Sequence, residues 1–218
     1  MTLVEAAVET LNSGLAAERA GADRIELCDN LNDGGTTPGA GLIAAVAKRM
    51  RLPVFVLIRP RAGGFVYSDE EFDTMVRDIG LAVRMGIAGI VTGALTPDGR
   101  VDATRMRTLV KAAAGLPVTF HRAIDSAVNL PAALEETIEA GASRVLTSGG
   151  AATALEGVDL IATLVDQARA RITVVAGGGI REHNVRDVIS QTGVREIHAR
   201  LADEAQMQGL VDVVRRNC

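Results

Sequence analysis

The stretch from Arg24 to Pro38, RIELCDNLNDGGTTP, gathers the residue types that chemistry needs. Arg24 to Cys28 alternates charged or soft residues with apolar ones, the period-2 signature of a short strand. With Ile25 and Leu27 turned outward onto helices, Glu26 and Cys28 face whatever the sheet encloses. Glu26 offers a general base, a hard metal ligand or the counter-ion of a neighbouring arginine. Cys28 offers a soft thiolate or simply a small buried residue. Asp29, Asn30, Asp33, Gly34 and Gly35 follow as a polar loop, and Thr37 before Pro38 has the form of an N-cap and first-turn proline. A strand ending in Glu-x-Cys-Asp that opens into such a loop has the make-up of one rim segment of a binding or active site.

Other strand ends carry matching chemistry. His121 and His198 suit acid–base work or metal ligation through neutral imidazole, with structural hydrogen bonding as the alternative. Arg59 and Arg61 flank a proline, and paired guanidinium groups hold carboxylate or phosphate as readily as a structural salt bridge. Arg122 follows His121 directly. Ser148-Gly149-Gly150 and Gly177-Gly178-Gly179 place side-chain-free amides after two successive strands, where an anion nest forms, although tight turns also require glycine. Glu5 and Glu196 share the inward parity of Glu26. His183 stands near a helix start, as a surface or capping residue. The two lysines, Lys48 and Lys111, fall on helices, which argues against a Schiff-base mechanism. No Walker, nucleophile-elbow or zinc-ligand spacing occurs, so no nucleotide or pyridoxal cofactor is indicated.

The elements that must position these groups alternate along the chain. Strands are predicted at Leu3–Val8, Arg24–Cys28, Val54–Ile58, Gly89–Thr92, Val118–His121, Arg144–Thr147, Ile172–Ala176 and Arg195–His198. Helices are predicted at Leu11–Ala20, Gly41–Met50, from the Ser68–Glu71 capping box to Met85, at Ala103–Ala114, Pro131–Ala140, Leu155–Ala168, Arg181–Thr192 and Gln206–Arg216. Four units repeat one entry, a helix-ending glycine (Gly21, Gly86, Gly141, Gly193) a few residues before a strand. Eight strand–helix units without a composition break predict a single α/β domain over residues 1–218, a (β/α)8 TIM barrel, with an open doubly wound sheet as the competing architecture.

Composition bounds the rest. Of 218 residues 48% are hydrophobic but only 2% aromatic, so the core is built from Ala, Val, Leu and Ile. The net charge of −4 removes the electrostatic basis for nucleic-acid or anionic-membrane binding. Two cysteines, Cys28 and Cys218, are too few for a disulfide framework. With no basic leader and no apolar run long enough to span a membrane, a reducing cytoplasm is the expected location.

The chain also resembles a known family. IELCDN, GGTTP, IRPR at Ile58–Arg61, LTPDG at Leu95–Gly99 and FHRAID at Phe120–Asp125 are similar, in order, to motifs of the CutC family of copper homeostasis proteins. So are LTSGGAATALEG at Leu146–Gly157, AGGGI at Ala176–Ile180 and EIHA at Glu196–Ala199. The resemblance implies a TIM barrel, a role in cytosolic copper handling, homo-oligomerisation, and Cu(I) held weakly near Cys28. In CutC-like sequences the first strand often brings a second cysteine, where this chain has Ala7. The residues themselves support a different class as well, an enzyme acting on a small phosphorylated or carboxylated substrate. Glu26, His121 and His198 would then move protons, while Arg59, Arg61, Arg122, Ser148 and the two glycine runs hold the anion. Copper or such an anion is thus the expected ligand. A scaffold with a vestigial site is the third expectation.

Overall fold

A computed structural model describes residues 2–200 and 202–216; Cys218, named above, lies outside them. Eight parallel strands close into one barrel in chain order: β1 (Leu3–Val8), β2 (Arg24–Leu27), β3 (Val54–Leu57), β4 (Gly89–Thr92), β5 (Val118–Phe120), β6 (Arg144–Thr147), β7 (Thr173–Gly177) and β8 (Glu196–Ala199). The helices α1 (Leu11–Arg19), α2 (Ala40–Arg49), α3 (Asp69–Arg84), α4 (Ala103–Ala112), α5 (Leu130–Glu139), α6 (Val158–Ala168), α7 (Val185–Thr192) and α8 (Glu204–Arg216) each follow one strand. The TIM-barrel expectation holds and the open sheet is excluded, because β1 pairs with β8 as well as with β2.

The two-residue period of the strands divides the chain into two environments. Val4, Ala6, Val8, Ile25, Leu27, Val54 and Val56 face outward into an aliphatic core shared with the helices. Glu5, Arg24, Glu26, Phe55, Thr119, Arg144, Glu196 and His198 take the other parity. Register sets their heights: Glu5 stands beside Arg24 and His198, Ala7 beside Glu26, and Thr119 beside Arg144. The small inner wall leaves room for one large ring. Phe55 lies beside its register partner Gly89 on the adjacent strand, where an added Cβ would stand 2.5 Å from the ring.

The Ser68–Glu71 capping box forms as expected, with both reciprocal bonds present. One helix cap and two helix starts depart from expectation by more than two residues or by a different partner. Thr37 does not cap α2: Gly39 does, and the Thr37 hydroxyl accepts a hydrogen bond from the Arg59 amide instead, tying this loop to β3. α6 starts at Val158 rather than Leu155, because residues 148–157 form a turn that folds Gly157 back onto the Ser148 carbonyl. α7 starts at Val185 rather than Arg181, since Asn184 accepts from the Arg181 amide and closes a separate turn first.

Candidate functional site

The strand-end residues separate into two clusters, one inside the barrel and one at its C-terminal mouth. The inner cluster is ionic. Arg144 reaches Glu196 through Nε (3.0 Å) and Nη2 (2.6 Å), Glu5 through Nη2 (2.9 Å) and the Thr119 hydroxyl through Nη1 (2.8 Å). Arg24 joins the same two carboxylates at 3.1 and 2.8 Å. The Phe55 ring lies between the two guanidinium groups, 4.6 Å from Arg24 and 5.0 Å from Arg144. Glu5 and Glu196 are therefore partners of arginines, the structural alternative in the sequence reading.

Glu26 and His198 join this layer, and Cys28 meets it through Glu26. His198 Nδ1 lies 2.9 Å from Glu5 Oε1 and 3.3 Å from Glu26 Oε2, and the Cys28 thiol donates to Glu26 Oε1 at 3.4 Å. Burial alone would raise Glu5, but the Arg144 charge and the His198 hydrogen bond outweigh it and hold the carboxyl below its usual range. Glu26 moves the other way: burial, helped by the Glu5 charge, raises it. Burial pulls His198 down, yet the Glu26 and Glu5 carboxylates leave it above its ordinary value. Cys28 is 1% exposed, and burial together with the Glu26 charge pushes its thiol far above the usual range. The cluster thus holds an ionised Glu5, a readily charged His198, a proton-accepting Glu26 with one oxygen lacking a hydrogen-bond partner, and a protonated thiol.

Glu5, Glu26 and His198 bring one ligand atom each within 4.8 Å of one another, a spacing that could hold a metal ion. The donors are hard, Glu5 is engaged by two arginines, and His198 Nδ1 faces a carboxylate, so the set is poorly matched to Cu(I). Cys28 is the one soft donor among the described residues of this inner wall. Of the methionines, Met75, Met106 and Met207 lie in the outer core, while Met50 and Met85 pack against it from outside.

The mouth cluster begins at Arg59, which is 5% exposed. Its terminal nitrogens donate to the carbonyls of Asp33 and Gly35 (Nη1) and of Gly63 (Nη2) rather than to a carboxylate. Arg61, expected beside it, turns away and pairs with Glu71 on α3 at 2.6 Å. His121 lies flat against Gly93, where any Cβ would come within 2.7 Å of the ring, and its other side meets Phe65 at 5.0 Å between centroids. His121 Nδ1 accepts from the Ala123 amide, which leaves the proton on Nε2. Burial and the Arg59 charge lower it to about 3, so it is a neutral donor. His183 is exposed, as expected.

The glycine turns behave differently from each other. Asp125 fills the first: it accepts from the amides of Ser148 and Gly150, from the hydroxyls of Thr147 and Ser148, and from Arg122 Nε. Arg122 Nη2 also donates to the Ser148 hydroxyl. The nest expected at Ser148-Gly149-Gly150 therefore exists but is occupied by a carboxylate of the protein itself. At Gly177-Gly178-Gly179 the backbone turns with positive φ at Gly178 and Gly179, close to Arg122 and Ser148.

Sequence reasoning missed Asp125, Arg24, Arg144, Phe65 and Tyr67. An acid three residues after Arg122 was the available signal for the first. Arginines sharing the inward parity of Glu5, Glu26 and Glu196 were the signal for the next two.

A sequence model described as the CutC family matches residues 2–202. The chain belongs to the CutC family. A family protein CutC of Xanthomonas axonopodis pv. citri is 49% identical over 196 residues, covering 90% of this chain and 82% of that one. A human protein named copper homeostasis protein cutC homolog is 47% identical over 90% of this chain and 72% of its own length. The crystal structure named for CutC of Streptococcus agalactiae superposes with a TM-score of 0.87 at 34% identity, over 91% of this chain and 98% of that one. Phosphoribosylanthranilate isomerase of Thermotoga maritima, at 12% identity and a TM-score of 0.64, shares the barrel alone. The chain has its Cys28 thiol at the end of β2 and Ala7 on the neighbouring strand beside Glu26.

Proposed function

We propose that the chain serves copper homeostasis, the role in its relatives' names, by holding Cu(I) weakly at Cys28 as cargo. The carrying observation is the position of that thiol, on the inner wall at the open end of β2 and hydrogen-bonded to Glu26. A lone thiol in this setting binds weakly because it must first give up a proton that burial and Glu26 retain. Affinity therefore rises with pH, by about tenfold per unit while the thiol remains protonated. The same reading places the protein in a reducing cytosol, as a homo-oligomer; among the described residues no helix is long and apolar enough to cross a membrane.

A competitive Cu(I) titration of the reduced protein beside Cys28→Ser tests it. Saturable binding that strengthens with pH and disappears in the variant is the expected result. Equal binding by both proteins, or none by either, would overturn it.

One observation favours a second reading, an enzyme acting on a small anionic substrate. A buried guanidinium neutralised only by carbonyls, with a neutral imidazole N–H beside it, is the make-up of a site that receives negative charge and donates a hydrogen bond to it. In this reading Arg59 holds the anion and His121 donates to it.

A further inference from the structure

Six buried side-chain polar atoms lack a hydrogen-bond partner among the described residues: Arg24 Nε, Glu26 Oε2, Arg59 Nε, Tyr67 OH, His121 Nε2 and Thr137 Oγ1. Leaving such a group unmade costs about 1–3 kcal/mol, so each one asks what completes it. Arg24 and Glu26 stand among opposite charges inside the barrel, and Thr137 is a lone hydroxyl on α5. The other three belong together. Phe65 touches both the Arg59 guanidinium, at 4.9 Å, and the His121 ring, at 5.0 Å. Arg59 lies against Tyr67 closely enough to interact with its hydroxyl, its charge also acts on His121, and Arg61, paired with Glu71, stacks on the Tyr67 ring at 5.2 Å. Arg59, Tyr67 and His121 are 5–6% exposed.

We propose that Arg59, Tyr67 and His121 form a pocket for a small carboxylate at the barrel mouth, roofed by the Phe65 ring. The proposal rests on the anion site of the second reading and gives it a place and a ligand class; it requires no reaction. Arg59 Nε–H and His121 Nε2–H can only donate, and the Tyr67 hydroxyl can donate as well. One water accepts two hydrogen bonds and leaves a third donor unmade, whereas a carboxylate accepts from all three. A single guanidinium balances one negative charge, which favours a carboxylate over a phosphate dianion. The nearest backbone nest, on the β6–α6 turn, is already filled by Asp125. Entry requires Phe65 to move, and it follows Gly63 and Gly64, both solvent-exposed.

Acetate and glycolate serve as probes, against inorganic phosphate at matched ionic strength, by calorimetric titration and thermal melts of the full chain. Tyr67→Phe keeps the ring and removes one donor; His121→Gln is the second variant should the first fail to fold. Arg122→Ala probes the neighbouring β6–α6 turn, and Arg171→Ala, which removes the exposed pair with Glu135, is the control. The expected result is saturable carboxylate binding, weakened about five- to tenfold in Tyr67→Phe and unchanged in Arg171→Ala. Carboxylate binding that ignores Tyr67 and His121 would overturn the pocket. Phosphate binding lost in Arg122→Ala but kept in Tyr67→Phe would overturn it while sparing the broader anion reading. Binding of neither anion would sink both.

Discussion

Arg144→Met tests whether the inner ionic layer is a single interlocked unit. Methionine keeps much of the aliphatic volume against Phe55 but removes the charge shared by Glu5 and Glu196 and the bond to Thr119. Removing one partner of a buried ion pair costs about 3–5 kcal/mol, because the other charge stays buried and uncompensated. Arg24 still reaches both carboxylates, which places the expected cost near the lower end, about 3 kcal/mol. For a chain of this size that lowers the melting temperature by about 6–12 °C. The pH dependence is the sharper readout. In the parent, Glu5 titrates below its ordinary 4.5, so its contribution is present above that value and lost as pH falls through the folded one. Without Arg144, burial is opposed only by His198 and Arg24, so the folded value moves up toward the ordinary one and less of that contribution remains. The gap between the two proteins is therefore widest at neutral pH and narrows on acidification toward the ordinary glutamate value. Urea unfolding across that range measures it. A neutral-pH cost under about 1 kcal/mol, or a gap independent of pH, would refute the reasoning.

Two further substitutions probe the mouth and the copper reading. Asp125→Ala strips the β6–α6 turn of its internal carboxylate and frees Arg122; a loss of about 1–3 kcal/mol is expected, and melts in inorganic phosphate should stabilise this variant more than the parent. Ala7→Cys puts a second thiol on the inner wall beside Glu26, and a competitive titration should show Cu(I) affinity rising by at least about tenfold; an unchanged affinity would mean that the two strands do not share a copper site.

The barrel was legible because its signals repeat. Ser68 with Glu71, the glycine entries to alternate strands and the inward parity of Glu26 each follow from local rules, and each is found. Thr37 was misread because an N-cap hydroxyl and a hydroxyl that receives a neighbouring strand's amide look alike in sequence. Only the approach of Arg59 across 22 positions separates them. The paired reading of Arg59 and Arg61 split for a related reason. Flanking one proline put both arginines in one loop, but Glu71, fixed by the capping box, offered Arg61 a carboxylate that Arg59 lacks. The filled nest at Ser148 was illegible because Asp125 comes from the previous unit, 23 positions away.

Between the two clusters lies an apolar layer, and it decides how they relate. Phe55, Leu57, Val91 and Cys28 pack together as a core of their own, separate from the outer aliphatic one. Phe55 pairs in register with Glu26 and stacks on Arg24 and Arg144 in the charged layer, while Cys28, Leu57 and Val91 separate that layer from Arg59 and His121. The thiol belongs to the apolar layer, which is why it is so strongly protonated, yet its partner Glu26 belongs to the charged layer beneath. A ligand at the mouth meets Arg59 and His121 without touching Glu26, while copper at Cys28 must displace a proton held from below. The copper and anion readings therefore draw on different side chains. Cys28→Ser should leave carboxylate binding intact, and Tyr67→Phe should leave Cu(I) binding intact; loss of both ligands in either variant would mean that the apolar layer does not separate them.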